Sequence, residues 1–358
     1  MSTTRSAPHR PGVEPTPWVM TPSGLVVVEK QQLAEPARRL SKLCTAGRMM
    51  RLTRGVYLPL ERVPLKPWEN FRLRCEALHA LGSRGLGGAA AAAMHGLWLI
   101  DSAPENVETY CMVKPGRRSR REGEVVIHGP LPEHHVEKVH KNFPFTLKSG
   151  AVELPQAARV TTVARTLIDI YRYLGPASCF VATCSALRNQ LVTREELLNC
   201  AADCKALGLR RIKGFTKLID AVFRSQGFRL DSAVEAIFLA QITLTGYFSV
   251  QVQVPFTLNG QSVRVDFLLP DAQLVIELDG LSKYGSKRIE QYYNLEKEKQ
   301  RADLLQNMTA YTVVRFNYQQ VMSFEAFHSV LMKLGLDPNF HKPSQDFMSQ
   351  FRPGYRRK

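Results

Sequence analysis

The run Arg264-Val-Asp-Phe-Leu-Leu-Pro-Asp-Ala-Gln-Leu-Val-Ile-Glu-Leu-Asp-Gly280 sets three carboxylates, Asp266, Glu277 and Asp279, into stretches of Val, Ile and Leu otherwise suited to burial. Two such stretches flanking a Pro270-Asp271-Ala272 turn signal predict a β-hairpin. Side chains alternate along a strand, so Glu277 and Asp279 are expected to share one face with Val275, while Leu274, Ile276 and Leu278 take the other. On the preceding strand Asp266 is expected to share a face with Arg264 and Leu268, and the turn brings it level with Glu277. Acids so placed repel each other and are costly to bury without a compensating partner. A divalent cation is such a partner, and Mg²⁺ is commonly held by one or two protein carboxylates together with water and phosphate oxygens. The implied chemistry is metal-assisted phosphodiester hydrolysis, in which the ion lowers the pKa of a bound water and steadies the leaving group.

The flanking pattern is legible independently. Residues 231–246 predict a helix with Val234, Ile237, Phe238 and Ile242 as its apolar stripe, and 250–258 a strand. After the hairpin come a charged helix over 289–308, a strand over 311–316 and a closing helix over 324–334. Plain structural roles compete with functional ones at several places. Ser232-x-x-Glu235 also fits a capping box. Glu298 and Arg301 fit an exposed ion pair, and Asp279-Gly280 fits an ordinary turn.

Between about residues 230 and 335 five pieces stand in order: Ser232-Ala-Val-Glu235, Arg264-Val-Asp266, Ile276-Glu-Leu-Asp-Gly280 with Lys283-Tyr284 following, Glu298-Lys-Gln-Arg-Ala-Asp303, and Val314-Arg315. In these pieces the stretch resembles the Vsr-like bacterial domains of the PD-(D/E)xK endonuclease superfamily. The resemblance implies a restriction-endonuclease-like mixed sheet flanked by helices. It also implies Mg²⁺ or Mn²⁺ held by Asp266 and Glu277, with Glu235 reaching in from the first helix and Asp279 completing the catalytic set. The superfamily's usual Glu-x-Lys is Glu277-Leu-Asp279 in this chain, so the water-orienting lysine is expected elsewhere, at Lys299 or Lys283.

Upstream, residues 26–60 read as a winged helix. Pro36 opens a helix with Ala37, Leu40, Leu43 and Cys44 inward, Arg38, Arg39 and Lys42 outward, and Gly47 at its close. Two short runs around Thr53-Arg54-Gly55 then predict a basic hairpin. In such a fold the outward helix face enters the major groove and the wing meets phosphates, which assigns DNA contacts to Arg38, Arg39, Lys42, Arg51 and Arg54. A solvated basic helix is the plain alternative. The segment Arg51-Leu-Thr-Arg-Gly-Val-Tyr57 resembles the winged helix of AbiEi antitoxins. So do Met94-His-Gly-Leu-Trp98 and the run from Val160 to Asp169, where a helix begins after two threonines. Lys114-Pro-Gly-Arg-Arg-Ser-Arg-Arg121 is the densest charge run, and its Arg117 and Arg118 are expected on phosphates. His95 is expected to pack rather than to catalyse. No metal is assigned to His134, His135 and His140, nor to Cys200 and Cys204, which lack a histidine nearby in sequence. Residues 207–217 predict a basic helix, and 343–358 a mobile basic tail.

The chain therefore divides into a disordered segment 1–24, a winged helix 25–65, an α/β middle domain 66–228, a nuclease-like domain 229–337 and a basic tail 338–358. The fold class is α/β, in the sense of an α+β multidomain chain. The net charge of +16 is uneven: residues 1–230 hold 34 Lys/Arg against 19 Asp/Glu, whereas 231–322 hold 8 against 10. That division assigns polyanion affinity to the upstream part. Seven cysteines without a Cys-x-x-Cys pair, no signal-like N-terminus and no membrane-length apolar run predict cytoplasmic residence with reduced thiols. The leading expectation is a DNA-directed, metal-dependent endonuclease acting in defence against foreign DNA or in repair. Its rival is an antitoxin-type DNA-binding regulator with a non-cleaving nuclease fold, and a third reading has the middle domain docking a protein of toxin type.

Overall fold

A computed structural model describes residues 19–20, 24–28, 34–53, 55–64, 66–80, 84–111, 120–122, 125–129, 131–140, 143–147, 150–154, 157–258, 261–279 and 310–357. The elements begin with β1 (Val19–Met20), β2 (Val26–Val27), α1 (Ala34–Thr45), β3 (Met49–Thr53), β4 (Val56–Pro59) and α2 (Pro67–Ala80). Next come β5 (Arg84–Leu86), α3 (Gly88–His95), β6 (Val107–Cys111), β7 (Arg120–Glu122), β8 (Val125–His128), β9 (Val136–His140), β10 (Phe143–Leu147), β11 (Gly150–Leu154) and β12 (Ala157–Thr161). Helices α4 (Val163–Tyr173), α5 (Gly175–Arg188), α6 (Arg194–Ala206), α7 (Phe215–Arg224) and α8 (Ala233–Thr245) lead to β13 (Gln251–Leu258), β14 (Gln261–Leu269), β15 (Leu274–Asp279) and β16 (Thr312–Asn317). The chain closes with α9 (Tyr318–Met322), α10 (Glu325–Lys333) and α11 (Gln345–Ser349). It is an α/β protein in which helices flank mixed sheets.

Two compact units are formed, one from Met1–Ser83 with His140–Ala158, the other from Arg84–Val139 with Arg159–Lys358. The boundary expected at 228/229 falls inside the second. In the first unit Leu40 of α1 packs with Val26, Val28 and Tyr57, and Leu43 and Cys44 lie against them. Gly47 takes a left-handed φ of 66° that ends α1 and starts the antiparallel β3–β4 pair, as the hairpin signal predicted.

In the second unit, α3 is a run of alanines buried along its length, so its backbone packs closely against α4. Gly88 admits Glu108, since a Cβ there would stand 1.5 Å from the Glu108 carboxylate, which accepts from the Ala89 amide at 3.0 Å. Thr162 caps α4 through the Arg165 amide, the helix start read from the paired threonines. The C-terminal sheet runs β13-β14-β15-β16, antiparallel except for the parallel β15–β16 pair. Helix α8 lies on it with Phe238 edge-on to Phe267, ring centroids 5.3 Å apart. The expected stripe of α8 is buried, but so are Leu239, Ala240 and Gln241, as in a helix enclosed on all sides.

Two expectations are corrected. Residues 207–214 form turns rather than a basic helix, because Gly208, Arg211 and Gly214 take positive φ and α7 begins only at Phe215. The C-terminal segment is docked rather than mobile: Phe351 is buried against Phe324 and Phe347, Arg356 pairs with buried Glu108, and the Arg357 amide donates to the Tyr173 carbonyl at 2.8 Å. Aromatic spacing across a short helix, not apolar periodicity, anchors it. The charged helix expected over 289–308 lies outside the described residues.

Candidate functional site

The start of α8 builds one wall of the site. Ser232 Oγ accepts from the Glu235 amide at 3.3 Å, and Glu235 reaches back to take the Asp231 amide at 2.9 Å and the Ser232 hydroxyl at 2.5 Å. Gln253 Nε2 of β13 donates to the same carboxylate at 2.7 Å. Glu235 therefore caps the helix and meets the sheet at Gln253 at once. Burial raises its pKa above the usual carboxylate range, the charge of Asp266 raises it further, and the three hydrogen bonds pull the other way. Arg188 of α5 fastens this corner from the outside, donating to the Leu230 carbonyl and to Asp231 at 2.6 Å each, and Arg264 pairs with Asp231 as well. Nothing in the sequence marked Arg188, which stands 43 residues from its partner.

The sheet departs from regular pairing at this corner. Val252 pairs with Phe267 and Val254 with Val265, but the position between them, Gln253 opposite Asp266, is skipped, and Gln253 carries a left-handed φ of 51°. Alternation slips at the same place. Val265, Leu268 and Val275 share one apolar cluster with Val254, Val263 and Val313, while Phe267 turns to Phe238. The expectation that Asp266 shares a face with Leu268 is thus corrected: Leu268 joins that cluster, and the Asp266 charge acts on Glu235.

The β14–β15 ladder runs from Leu269↔Leu274 to Phe267↔Ile276 and stops. Asp266 and Glu277 come next along the two strands, but no rung pairs them; Asp266 Oδ2 accepts from the Leu278 amide at 2.8 Å instead. Glu277 is half-buried beside Arg315 in the parallel register, and half-buried Asp279 stands beside Asn317.

Two groups of described residues bring three ligating atoms within 4.8 Å, and the set Glu235, Asp266, Glu277 is neither of them. A hard cation suits Asp266 and Glu277 in donor chemistry, because both offer oxygen and such an ion draws its other ligands from water and phosphate. The Glu235 oxygens are engaged by the cap and by Gln253.

The two groups that do converge were missed: His135 with Cys200 and Cys204, and His134 with His135 and Asp203. The sequence hint was the cysteine spacing on one helix; its histidine partner comes from 65 residues away. His95 packs as expected, buried with Nε2 on the Thr161 carbonyl at 2.7 Å. Arg38, Arg39, Lys42 and Arg51 are exposed on the first unit. Arg54, Arg117, Arg118, Lys283 and Lys299 lie outside the described residues.

No protein-family profile matches this chain, and no curated protein does. Among solved structures it is similar to the RV2827C protein from Mycobacterium tuberculosis, at 14% identity and a TM-score of 0.25. That match spans 59% of this chain and 66% of the other, and the likeness is too slight to bear on fold or function.

Proposed function

We propose that this chain binds DNA and hydrolyses phosphodiester bonds at its C-terminal sheet with Mg²⁺ or Mn²⁺, in defence against foreign DNA or in repair. The observation that carries the reading is the placing of Asp266 and Glu277 on neighbouring strands just where the β14–β15 ladder stops, with the Asp266 charge acting on buried Glu235 at the start of α8. A cation beside Asp266 relieves that repulsion. In this reading Asp266 and Glu277 hold the ion, Glu235 and Asp279 adjust its surroundings, and Lys299 or Lys283 orients water. When bound, the ion supplies Lewis acidity and a more acidic water. Arg38, Arg39, Lys42 and Arg51 give exposed positive charge to the first unit, as phosphate contact requires. The likeness of the sequence pieces to Vsr-like and AbiEi families supports the same pairing of DNA binding with a nuclease fold. Cytoplasmic residence belongs to the proposal; no described helix is long and apolar enough to cross a membrane.

The test is supercoiled plasmid with Mg²⁺ or Mn²⁺. Wild type should nick it, and Asp266→Ala and Glu277→Ala should each lose roughly a hundredfold or more in rate. Plasmid loss equal in all three proteins would point to a contaminating nuclease. The second reading, a DNA-binding regulator that no longer cleaves, is favoured by the engagement of both Glu235 oxygens and by Asp279 standing where the superfamily has lysine. DNA binding by wild type without nicking of any substrate would decide for it.

A further inference from the structure

The turn that carries His134 and His135 ahead of β9 meets one face of α6. Cys200, Asp203 and Cys204 occupy that face, at helical spacings of three and four. His135 Nε2 stands 3.8 Å from Cys200 Sγ and 2.8 Å from Asp203 Oδ2, and His134 Nε2 stands 2.9 Å from the same oxygen. Ligating atoms of His135, Cys200 and Cys204 lie within 4.8 Å of one another. Cys204 and His135 are buried, at 0% and 3% exposure, and Cys200 is partly so.

Hydrogen bonding alone accounts for the histidines. It accounts poorly for the thiols, which are weak donors and weak acceptors at such distances. Tetrahedral zinc, with Zn–S near 2.3 Å and Zn–N near 2.0 Å, sets its ligand atoms roughly 3.5 Å apart. The 3.8 Å between His135 Nε2 and Cys200 Sγ is close to that, and Cys204 Sγ lies within 4.8 Å of the same cluster, whereas Asp203 groups with the two histidines and not with the thiols.

Arg165 is the obstacle and the counterweight. Its Nη1 lies 3.1 Å from His135 Nδ1 and 3.9 Å from Cys204 Sγ, while its Nε holds Asp169 at 3.0 Å. Arg172 balances Asp169 from the other side at 2.9 Å. With both thiols ionised, Cys200, Cys204 and Asp203 outweigh Arg165 by two negative charges, the charge of one divalent ion.

We propose that His135 Nε2, Cys200 Sγ and Cys204 Sγ form a binding site for a soft divalent cation of the zinc class, with Asp203 at its edge. On binding, the two thiols release their protons to solvent. The imidazole proton moves to Nδ1 as Arg165 turns onto Asp169, and His134 keeps the Asp203 oxygen that His135 gives up. These three protein ligands join the turn to α6, so the ion clamps one to the other, with water as the fourth ligand. The proposal is independent of the nuclease reading, which uses oxygen donors and a hard ion on another sheet.

The untagged full chain, stripped with chelator and titrated with Co²⁺, tests it. The expected result is a thiolate-to-cobalt charge-transfer band with strong tetrahedral d–d bands, saturating at one ion per chain and erased by Zn²⁺. Cys200→Ser and Cys204→Ser should each weaken the charge-transfer band, and the double variant should abolish it. A second readout needs no variant: Zn²⁺ should slow alkylation of Cys200 by about tenfold or more, with partly buried Cys44 as the unaffected reference. Absence of the charge-transfer band in wild type, its survival in the double variant, or alkylation of Cys200 at one rate with and without Zn²⁺ would each overturn the proposal.

Discussion

Glu235 shows how a single side chain can serve the fold and strain it. Its carboxylate completes the first turn of α8, yet burial and the facing charge of Asp266 hold its pKa up. A folded pKa raised above the unfolded one means a contribution to stability that is full below the ordinary carboxylate pKa. That contribution is lost as pH rises through the raised value. Asp266→Asn removes the facing charge and keeps an acceptor for the Leu278 amide. In chelator, wild type should therefore lose more stability than Asp266→Asn as pH rises above the ordinary carboxylate range, read from urea midpoints. Mg²⁺ should narrow the gap by stabilising wild type alone. Parallel pH profiles for the two proteins would remove the electrostatic coupling from the account. The acid positions were legible in the sequence because acids among Val, Ile and Leu break a local pattern; the slip at Asp266 was not, since it coincides with the left-handed Gln253 on the neighbouring strand.

Elements were legible where their ends carry specific chemistry. Ser232 and Gly246 bound α8, Thr162 opens α4, and Gly47 with Gly55 brackets β3. Helix α6 opens with a full capping box, Thr193 Oγ1 accepting from the Glu196 amide at 3.2 Å and Glu196 accepting from the Thr193 amide at 2.7 Å. Those hydrogen bonds from Thr193 hold the Glu196 carboxyl below its usual pKa. A depressed pKa contributes stability above the ordinary carboxylate value and loses it as pH falls through the lowered one. Thr193→Ala should cost about 1 kcal/mol at neutral pH, with a smaller difference from wild type near pH 2 in urea titrations; an undiminished cost there would separate the cap from the Glu196 charge. Where element ends are set by backbone conformation alone, reading failed. The stretch 207–217 reads as a basic helix from Arg210, Arg211 and Lys213, but positive φ at Gly208, Arg211 and Gly214 interrupts it and α7 begins at Phe215.

On the scale of the whole molecule, charge and burial divide differently. The upstream 230 residues carry a surplus of fifteen positive charges, while 231–322 carry a deficit of two. If Arg38, Arg39 and Lys42 meet phosphates, replacing all three by alanine should reduce the slope of log affinity against log salt by roughly 2 to 3, measured by fluorescence anisotropy on duplex DNA. An unchanged slope would take α1 out of the DNA interface. By itself the sequence determined what depends on neighbours within a turn or a hairpin: helix α1 with the β3–β4 hairpin, the α8 stripe, the paired strands and the acids they carry, because capping, turn chemistry and alternation act over a few residues. The tertiary structure alone decided what long-range packing brings together: Asp266 against Glu235, the C-terminal aromatics in the core, and His135 on the cysteine face of α6. No local pattern encodes those meetings, since each partner's own segment is satisfied as an ordinary helix, strand or turn without the other.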